Sequence, residues 1–186
     1  SDTPSATVVL DVSSASLISA SSKNSGISSI ILYLMSTMYH SLKVNNAKRV
    51  FNIMDHCSIF LLIAGSYTPY VLVTLKGALG WTIFGIIWAA AILGIVFNAI
   101  DVGKYKKISL MAYLIMGWMI VFAFKPLAEA LSTPGITFLV LGGIAYTIGA
   151  VFYGLGKKKK YMHSIFHVFV LAGSIMQYIS MLFYVL

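Results

Sequence analysis

Long apolar runs separated by short clusters of lysine organise this chain. A bilayer crossing takes about 20 mostly apolar residues, and such runs fall near 54–74, 79–99, 108–124, 136–155 and 162–185. A shorter one, 27–42, extends from Ile27 to Leu42. The stretch 5–22 is weaker, because it holds Asp11 and many serines. The pattern predicts an all-α membrane protein. Its single domain, 1–186, would be a seven-transmembrane helix bundle whose first helix is weak or altered.

The basic residues give the expected orientation. Lys43, Lys48 and Arg49 follow the second run, Lys104, Lys106 and Lys107 the fourth, and Lys157, Lys158, Lys159 and Lys160 the sixth. The alternate loops carry only Lys23, Lys76 and Lys125. Positive residues stay cytoplasmic, so the Lys-rich loops are expected inside, with a cytoplasmic N-terminus and an external C-terminus. An odd number of crossings, and hence a span before residue 27, follows from that alternation.

Composition supports the same class. Of 186 residues, 59% are apolar and 10% charged, against about 45–50% and about 25% in soluble domains. The net charge of +8 would suggest nucleic acid in a soluble protein. Here the lysines lie between apolar runs, so anionic lipid headgroups are the expected partner and nucleic acid is not. The lone Cys57 has no partner for an internal disulfide. The first 26 residues lack a basic start followed by an apolar core, so no cleavable signal is expected.

Small residues predict close helix packing at Ala90/Gly94, Ala145/Gly149 and Ala150/Gly154. Pro69 should kink or end its helix. Trp81, Trp88 and Trp118 fit interfacial anchoring or simple packing.

Four ionisable residues change the picture from architecture to chemistry. His163 and His167 are spaced i,i+4, which puts both imidazoles on one helix face. His40 ends the second run and Asp55 opens the third. With the orientation above, all four reach the inner leaflet. Ionisable groups at membrane depth are costly and usually functional. Three imidazoles suit zinc, with a fourth position left for water. Such a water ionises near pH 7 and can act as a nucleophile. Asp55 would hold that water or take its proton. Ser36, one turn before His40, would hydrogen-bond the water or a substrate carbonyl. His56 points about 100° away from Asp55 on a helix and reads as an interfacial residue. Cys57 reads as a small core residue, and Lys157 to Lys160 as a solvated run facing lipid headgroups.

The ordered pattern Ser36-Thr37-Met38-Tyr39-His40, Asp55 and His163-Ser164-Ile165-Phe166-His167 resembles the progestin and adipoQ receptor family, in particular its bacterial haemolysin III branch. The stretches 61–69, Leu79-Gly80-Trp81 and Met116-Gly117-Trp118 resemble that branch too. The likeness extends over residues 27 to 186. It implies seven helices in a bacterial cell membrane, with a cytoplasmic N-terminus. It also implies zinc held by His40, His163 and His167, with Asp55 on the zinc-bound water and Ser36 near the metal. One feature departs: members of this branch carry a Glu, Asn and Thr-His motif at the first helix. Here no Glu precedes Glu129 and no His precedes His40.

The resemblance extends to alkaline ceramidases, so the first expectation is a zinc-dependent hydrolase acting on ceramide-like lipid amides or other fatty-acyl lipids. Asp55 and Ser36 would be its catalytic residues. A lipid or energy-homeostasis sensor with structural zinc is a second reading. A haemolytic, membrane-permeabilising protein is a third, although no charged pore lining is visible. Bis-His haem binding is a fourth. The oligomeric state is left open.

Overall fold

A chain immersed in hydrocarbon must satisfy its backbone hydrogen bonds within itself, which favours unbroken helices. The computed structural model describes residues 6–41, 46–75, 77–155 and 162–185. Among them every regular element is helical: α1 (Ala6–Ser41), α2 (Asn46–Pro69), α3 (Gly77–Trp118), α4 (Phe124–Ala130), α5 (Thr133–Leu155) and α6 (Met162–Tyr184). Four helical stretches are long and apolar enough to cross a membrane: Asn46–Thr74, Gly77–Ala130, Thr133–Gly154 and Ile165–Tyr184. A shorter apolar stretch, Gly26–Tyr39, belongs to α1. Large apolar side chains such as Ile86, Leu93, Phe122 and Val168 stand exposed on the outside of the bundle, as lipid contact requires. The chain is a multi-pass membrane protein.

Two features depart from the sequence reading. The runs 5–22 and 27–42 were expected to be separate crossings, whereas residues 6–22 and 27–41 lie in the one helix α1. No proline separates them, and Gly26 alone is too weak a breaker to stop a helix. The 36 residues of α1 measure roughly 54 Å at about 1.5 Å per residue, well beyond a hydrocarbon core of about 30 Å.

The second departure is within α3, whose helical run hides a sharp reversal. Asp101 leaves helical geometry (φ −161°, ψ 100°), and its carboxylate accepts a hydrogen bond from the Lys104 backbone N–H at 3.0 Å. That is an N-cap, which satisfies one of the free donors at a new helix start. Ser109 Oγ then donates to Asn98 Oδ1 at 2.6 Å. A straight helix would hold those residues about 16 Å apart, so the arms 77–100 and 102–118 double back on each other. The runs 79–99 and 108–124 are thus joined by a turn at Asp101 instead of a longer loop.

Pro69 acts as expected, with a specific consequence. The α-helical pattern ends there and the chain widens into a π-helical turn, Tyr70–Thr74, closed by the Leu75 N–H on the Tyr70 carbonyl at 3.0 Å. Gly77 has φ +72°, a conformation glycine adopts without steric cost, and it starts the return along α2. A second irregularity follows Trp118, where α3 tightens into a 3-10 segment, Met119–Ala123. The Tyr67 hydroxyl repairs it: it donates to the Gly117 carbonyl at 2.6 Å and accepts from the Ile120 N–H at 3.1 Å. A broken helix in a bilayer needs such substitutes.

Glycines set how near the helices come. A Cβ on Gly94 would overlap the Phe60 ring, and one on Gly149 would lie 3.1 Å from Phe169 Cβ. Both belong to small-residue pairs that the sequence marks. A close backbone approach of α5 to α6 uses a pair it does not mark: a Cβ on Gly142 would sit 3.1 Å from the Gly173 carbonyl, and one on Gly173 3.0 Å from the Gly142 carbonyl.

Two outcomes follow from this packing. Reporter fusions after Lys48 and Lys106 should read cytoplasmic, and one after Leu186 external, because the lysine bias puts one end of the bundle inside. A tag ahead of Ser1 reads cytoplasmic only if the runs 5–22 and 27–42 cross separately. In detergent, Gly94→Leu should lower stability by about 1–3 kcal/mol, the usual effect of overpacking. A melting temperature equal to that of the parent would show that Phe60 does not fill this space.

Candidate functional site

The residues singled out in the sequence sit on three helices at one end of the bundle, the end that also carries the turns with Lys48, Lys104 and Lys106. On α1, Ser36 is buried and lies one turn before His40, which is in the helix's last turn. On α6, His163 is in the first turn and His167 one turn further. Asp55 comes from α2 and is 1% exposed. It lies in the third turn of that helix and not the first, because α2 begins at Asn46.

The structure brings Ser36, His167 and Asp55 together. Ser36 Oγ is 3.1 Å from His167 Nε2, across 131 residues of sequence. The Ser36 side chain is also a hydrogen-bond partner of the Asp55 carboxylate. A serine hydroxyl has one proton to give. Once it goes to the acceptor-only carboxylate, the imidazole must donate through Nε2. The direction of the chain is then His167 to Ser36 to Asp55. The side chains of His40 and His163 lie outside the described residues, as do residues 156–161 with the whole Lys157–Lys160 run. Among the described residues no group of three His, Cys, Asp or Glu forms a metal cluster.

The donor set suits a zinc ion in its chemistry: imidazoles on two helices, a carboxylate on a third and a serine hydroxyl between them. One constraint is visible. His167 Nε2 donates to Ser36 here, so coordination through that nitrogen requires its proton to leave it and the serine hydroxyl to turn away.

His56 is not an interfacial residue, as its sequence position suggested. It is 6% exposed and both ring nitrogens are occupied: Nδ1 with the Asn52 carbonyl at 2.9 Å and Nε2 with the Tyr153 hydroxyl at 2.8 Å. Behind it runs a polar network that sequence reading missed. Tyr113 donates to the His56 carbonyl at 2.8 Å, and Asn98 Nδ2 donates to the Tyr113 hydroxyl at 3.3 Å. Asn98, fully buried, interrupts an otherwise apolar run; a lone Asn there was a readable sign of interhelical bonding. No comparable sign marked the tyrosines, which are common in such segments. Lys106 Nζ lies 4.4 Å over the Tyr153 ring, an attractive cation–π arrangement. Cys57 is half-buried, with Sγ 3.7 Å from the Ile95 carbonyl, in keeping with a packing role.

Comparison with known proteins places this arrangement. The family described as Haemolysin-III related matches residues 6–178, a range that includes every site residue named above. The chain belongs to that family. It is 48% identical over 161 residues to Hemolysin-3 of Bacillus cereus, a match that covers 87% of this chain and 73% of that one. It is 45% identical over 159 residues to a Hemolysin-3 homolog of Bacillus subtilis (strain 168), covering 86% and 74%. A more distant relative is the human monocyte to macrophage differentiation factor, 30% identical over 155 residues, covering 79% of this chain and 63% of the human one. No solved structure matches. Family membership agrees with the resemblance read from the Ser36–His40, Asp55 and His163–His167 pattern.

The polar network behind His56 yields a stability test. Tyr113→Phe removes the bonds to the His56 carbonyl and Asn98 while keeping the ring packed 4.5 Å from Phe60. It should cost on the order of 1 kcal/mol, read as a lower melting temperature in detergent. An unchanged melting temperature would mean that the network does not join α2 to α3.

Proposed function

We propose that this haemolysin III-type membrane protein is a zinc-dependent hydrolase of ceramide-like lipid amides, working at the cytoplasmic leaflet. The contact that carries the reading is Ser36 Oγ to His167 Nε2, beside the buried Asp55. Three polar groups from three helices meet there, at a depth where polar groups are expensive. They would be poor choices for packing alone.

In this reading His40, His163 and His167 hold the metal. His40 is one turn from Ser36, and His163 one turn from His167, on the same two helices. Zinc would supply Lewis acidity there, polarising a carbonyl and bringing the ionisation of water down to about pH 7. Asp55 takes a proton from the attacking water and later returns one to the leaving amine. Ser36 sits between the carboxylate and the imidazole, and its hydroxyl would donate to the oxygen of a scissile carbonyl once its proton turns from Asp55 to the substrate. Apolar packing beside them, with the buried Phe166 ring against His167, would limit bulk water and strengthen each of these interactions. The Lys-rich turns nearby would hold anionic headgroups.

The Hemolysin-3 name of the Bacillus cereus relative supports a second reading, membrane permeabilisation. A homeostasis sensor with structural zinc would share the metal and lack turnover.

Elemental analysis of purified protein should find about one zinc per chain. His40→Ala, His163→Ala and His167→Ala should each lose most of it, and His56→Ala should keep it. Equal zinc in all four variants would remove the metal assignment. Asp55→Ala should retain zinc and lose fatty-acid release from ceramides by about 10²–10⁴-fold, the usual contribution of a positioned acid or base. Should the zinc-loaded chain release no fatty acid from any lipid amide, yet discharge dye from vesicles, permeabilisation is the better account.

A further inference from the structure

The seam between the second arm of α3 and α5 carries a groove that faces the bilayer. Leu110, Leu114 and Gly117 belong to one wall, and Gly143, Thr147 and Tyr153 to the other. Leu62 of α2 and Phe166 of α6 lie beneath them. Except for Tyr153, the wall residues are only half-buried. A Cβ on Gly117 or on Gly143 would meet nothing within 4 Å, in contrast with the tight glycines between α5 and α6. At this level Trp118 Nε1 bridges the seam, donating to Thr147 Oγ1 at 3.0 Å. The lining includes none of Ser36, Asp55 and His167.

One end of the groove is charged. Lys106 precedes Leu110 by one helical turn, and its ammonium stands 4.4 Å over the Tyr153 ring. Tyr153 is in the last turn of α5, so both walls begin at the Lys-rich end. Lys104 is turned the other way. It stands 5.5 Å over the Tyr105 ring, which packs 5.2 Å from Phe97 on the first arm of α3. Asp101, the one carboxylate among residues 101–107, is directed at the Lys104 backbone N–H. Positive charge therefore heads the groove.

Length and charge together specify the occupant. Lys106 and Gly117 are about 16 Å apart along the helix axis, at about 1.5 Å per residue. One leaflet of hydrocarbon is about 15 Å deep, half of a core of about 30 Å. A lipid tail that starts at Lys106 thus reaches the glycines and Trp118. Apolar surface facing a bilayer is covered by tails of any lipid, and a lysine at the interface favours those with an anionic head. We propose that this groove binds one anionic phospholipid, with its phosphate on Lys106 and an acyl chain laid between α3 and α5. The site goes beyond the general attraction of Lys-rich turns for headgroups, and it depends on neither zinc nor hydrolysis.

Trp118 lines the groove and reports on it. The full chain with Trp81→Phe and Trp88→Phe keeps Trp118 as its one tryptophan. It would be reconstituted in phosphatidylcholine vesicles that contain a small fraction of phosphatidylglycerol or phosphatidylcholine with brominated tails, which quench indole on contact. Trp118 should show about a fivefold preference for phosphatidylglycerol, the effect of one lysine near the surface. Lys106→Gln should abolish that preference, and Lys48→Gln, in the first turn of α2, should keep it. Gly143→Leu fills space where a Cβ meets no atom, and it should weaken quenching by phosphatidylglycerol several-fold. Circular dichroism and monodisperse elution identify folded variants. If the two-phenylalanine background fails to fold, native mass spectrometry of the chain with its tryptophans intact decides, by comparing how much of each lipid the parent, Lys106→Gln and Gly143→Leu retain. Equal binding of the two lipids overturns the proposal. So does a preference that survives Lys106→Gln, or binding unaffected by Gly143→Leu. A Trp118 shielded from both lipids in a chain that elutes as a dimer would put a second copy in the groove and overturn it as well.

Discussion

Hydrocarbon offers no hydrogen bonds, and the organisation of this bundle follows from that. Each polar side chain within it must find a protein partner or a bound water. The polar residues of α1, α2, α3, α5 and α6 are accordingly gathered and not scattered. One group is Ser36, Asp55 and His167. A second is His56, Tyr153, Tyr113, Asn98 and Ser109. A third is Tyr33, Tyr146 and Ser174. Each ties together helices that are far apart in the chain, so polar contacts decide which helix neighbours which, while the apolar contacts between them are interchangeable with lipid.

The same constraint governs the irregular backbone. The π-helical turn after Pro69 and the 3-10 segment after Trp118 both leave the α-helical ladder. In water such breaks would be hydrated. Here Tyr67 serves the second with a single hydroxyl that both donates and accepts. The reversal at Asp101 is handled by its own carboxylate. The glycines work in the opposite sense. By admitting Phe60 against Gly94 and bringing Gly142 to Gly173, they replace hydrophobic driving force, which is absent between helices in lipid, with close van der Waals contact.

The groups differ in what they are suited to do. The His56 network uses both ring nitrogens and two tyrosine hydroxyls, so it is closed and suits a structural joint. The Ser36–His167–Asp55 group combines a carboxylate, an imidazole and a hydroxyl, with His40 and His163 one helical turn away in sequence, so it is the group that suits the proposed chemistry. Membership of the Haemolysin-III related family attaches that group to a known class of membrane protein without fixing a reaction. A shared fold hosts many functions, and the function has to be argued from the site.

Much of this was legible in the residues alone. Apolar length and lysine placement gave the membrane class, because transfer free energy is a sum over local composition. The i,i+4 spacing of His163 and His167, and of Ser36 and His40, was equally local, since a helix places such pairs on one face whatever surrounds it. What the sequence could not decide was distance between helices. That Ser36 meets His167, that His56 turns to Tyr153 instead of the interface, and that Ser174 gathers two tyrosines all depend on how α1, α2, α5 and α6 pack. Nor could it decide continuity. Residues 6–22 and 27–41 have the hydropathy of two segments and lie in one helix, because nothing between them breaks it. The reversal at Asp101 is the converse case, a turn made by one capping carboxylate. Hydropathy reads composition, whereas helix ends are set by single residues and by the tertiary contacts that stabilise one path of the backbone over another.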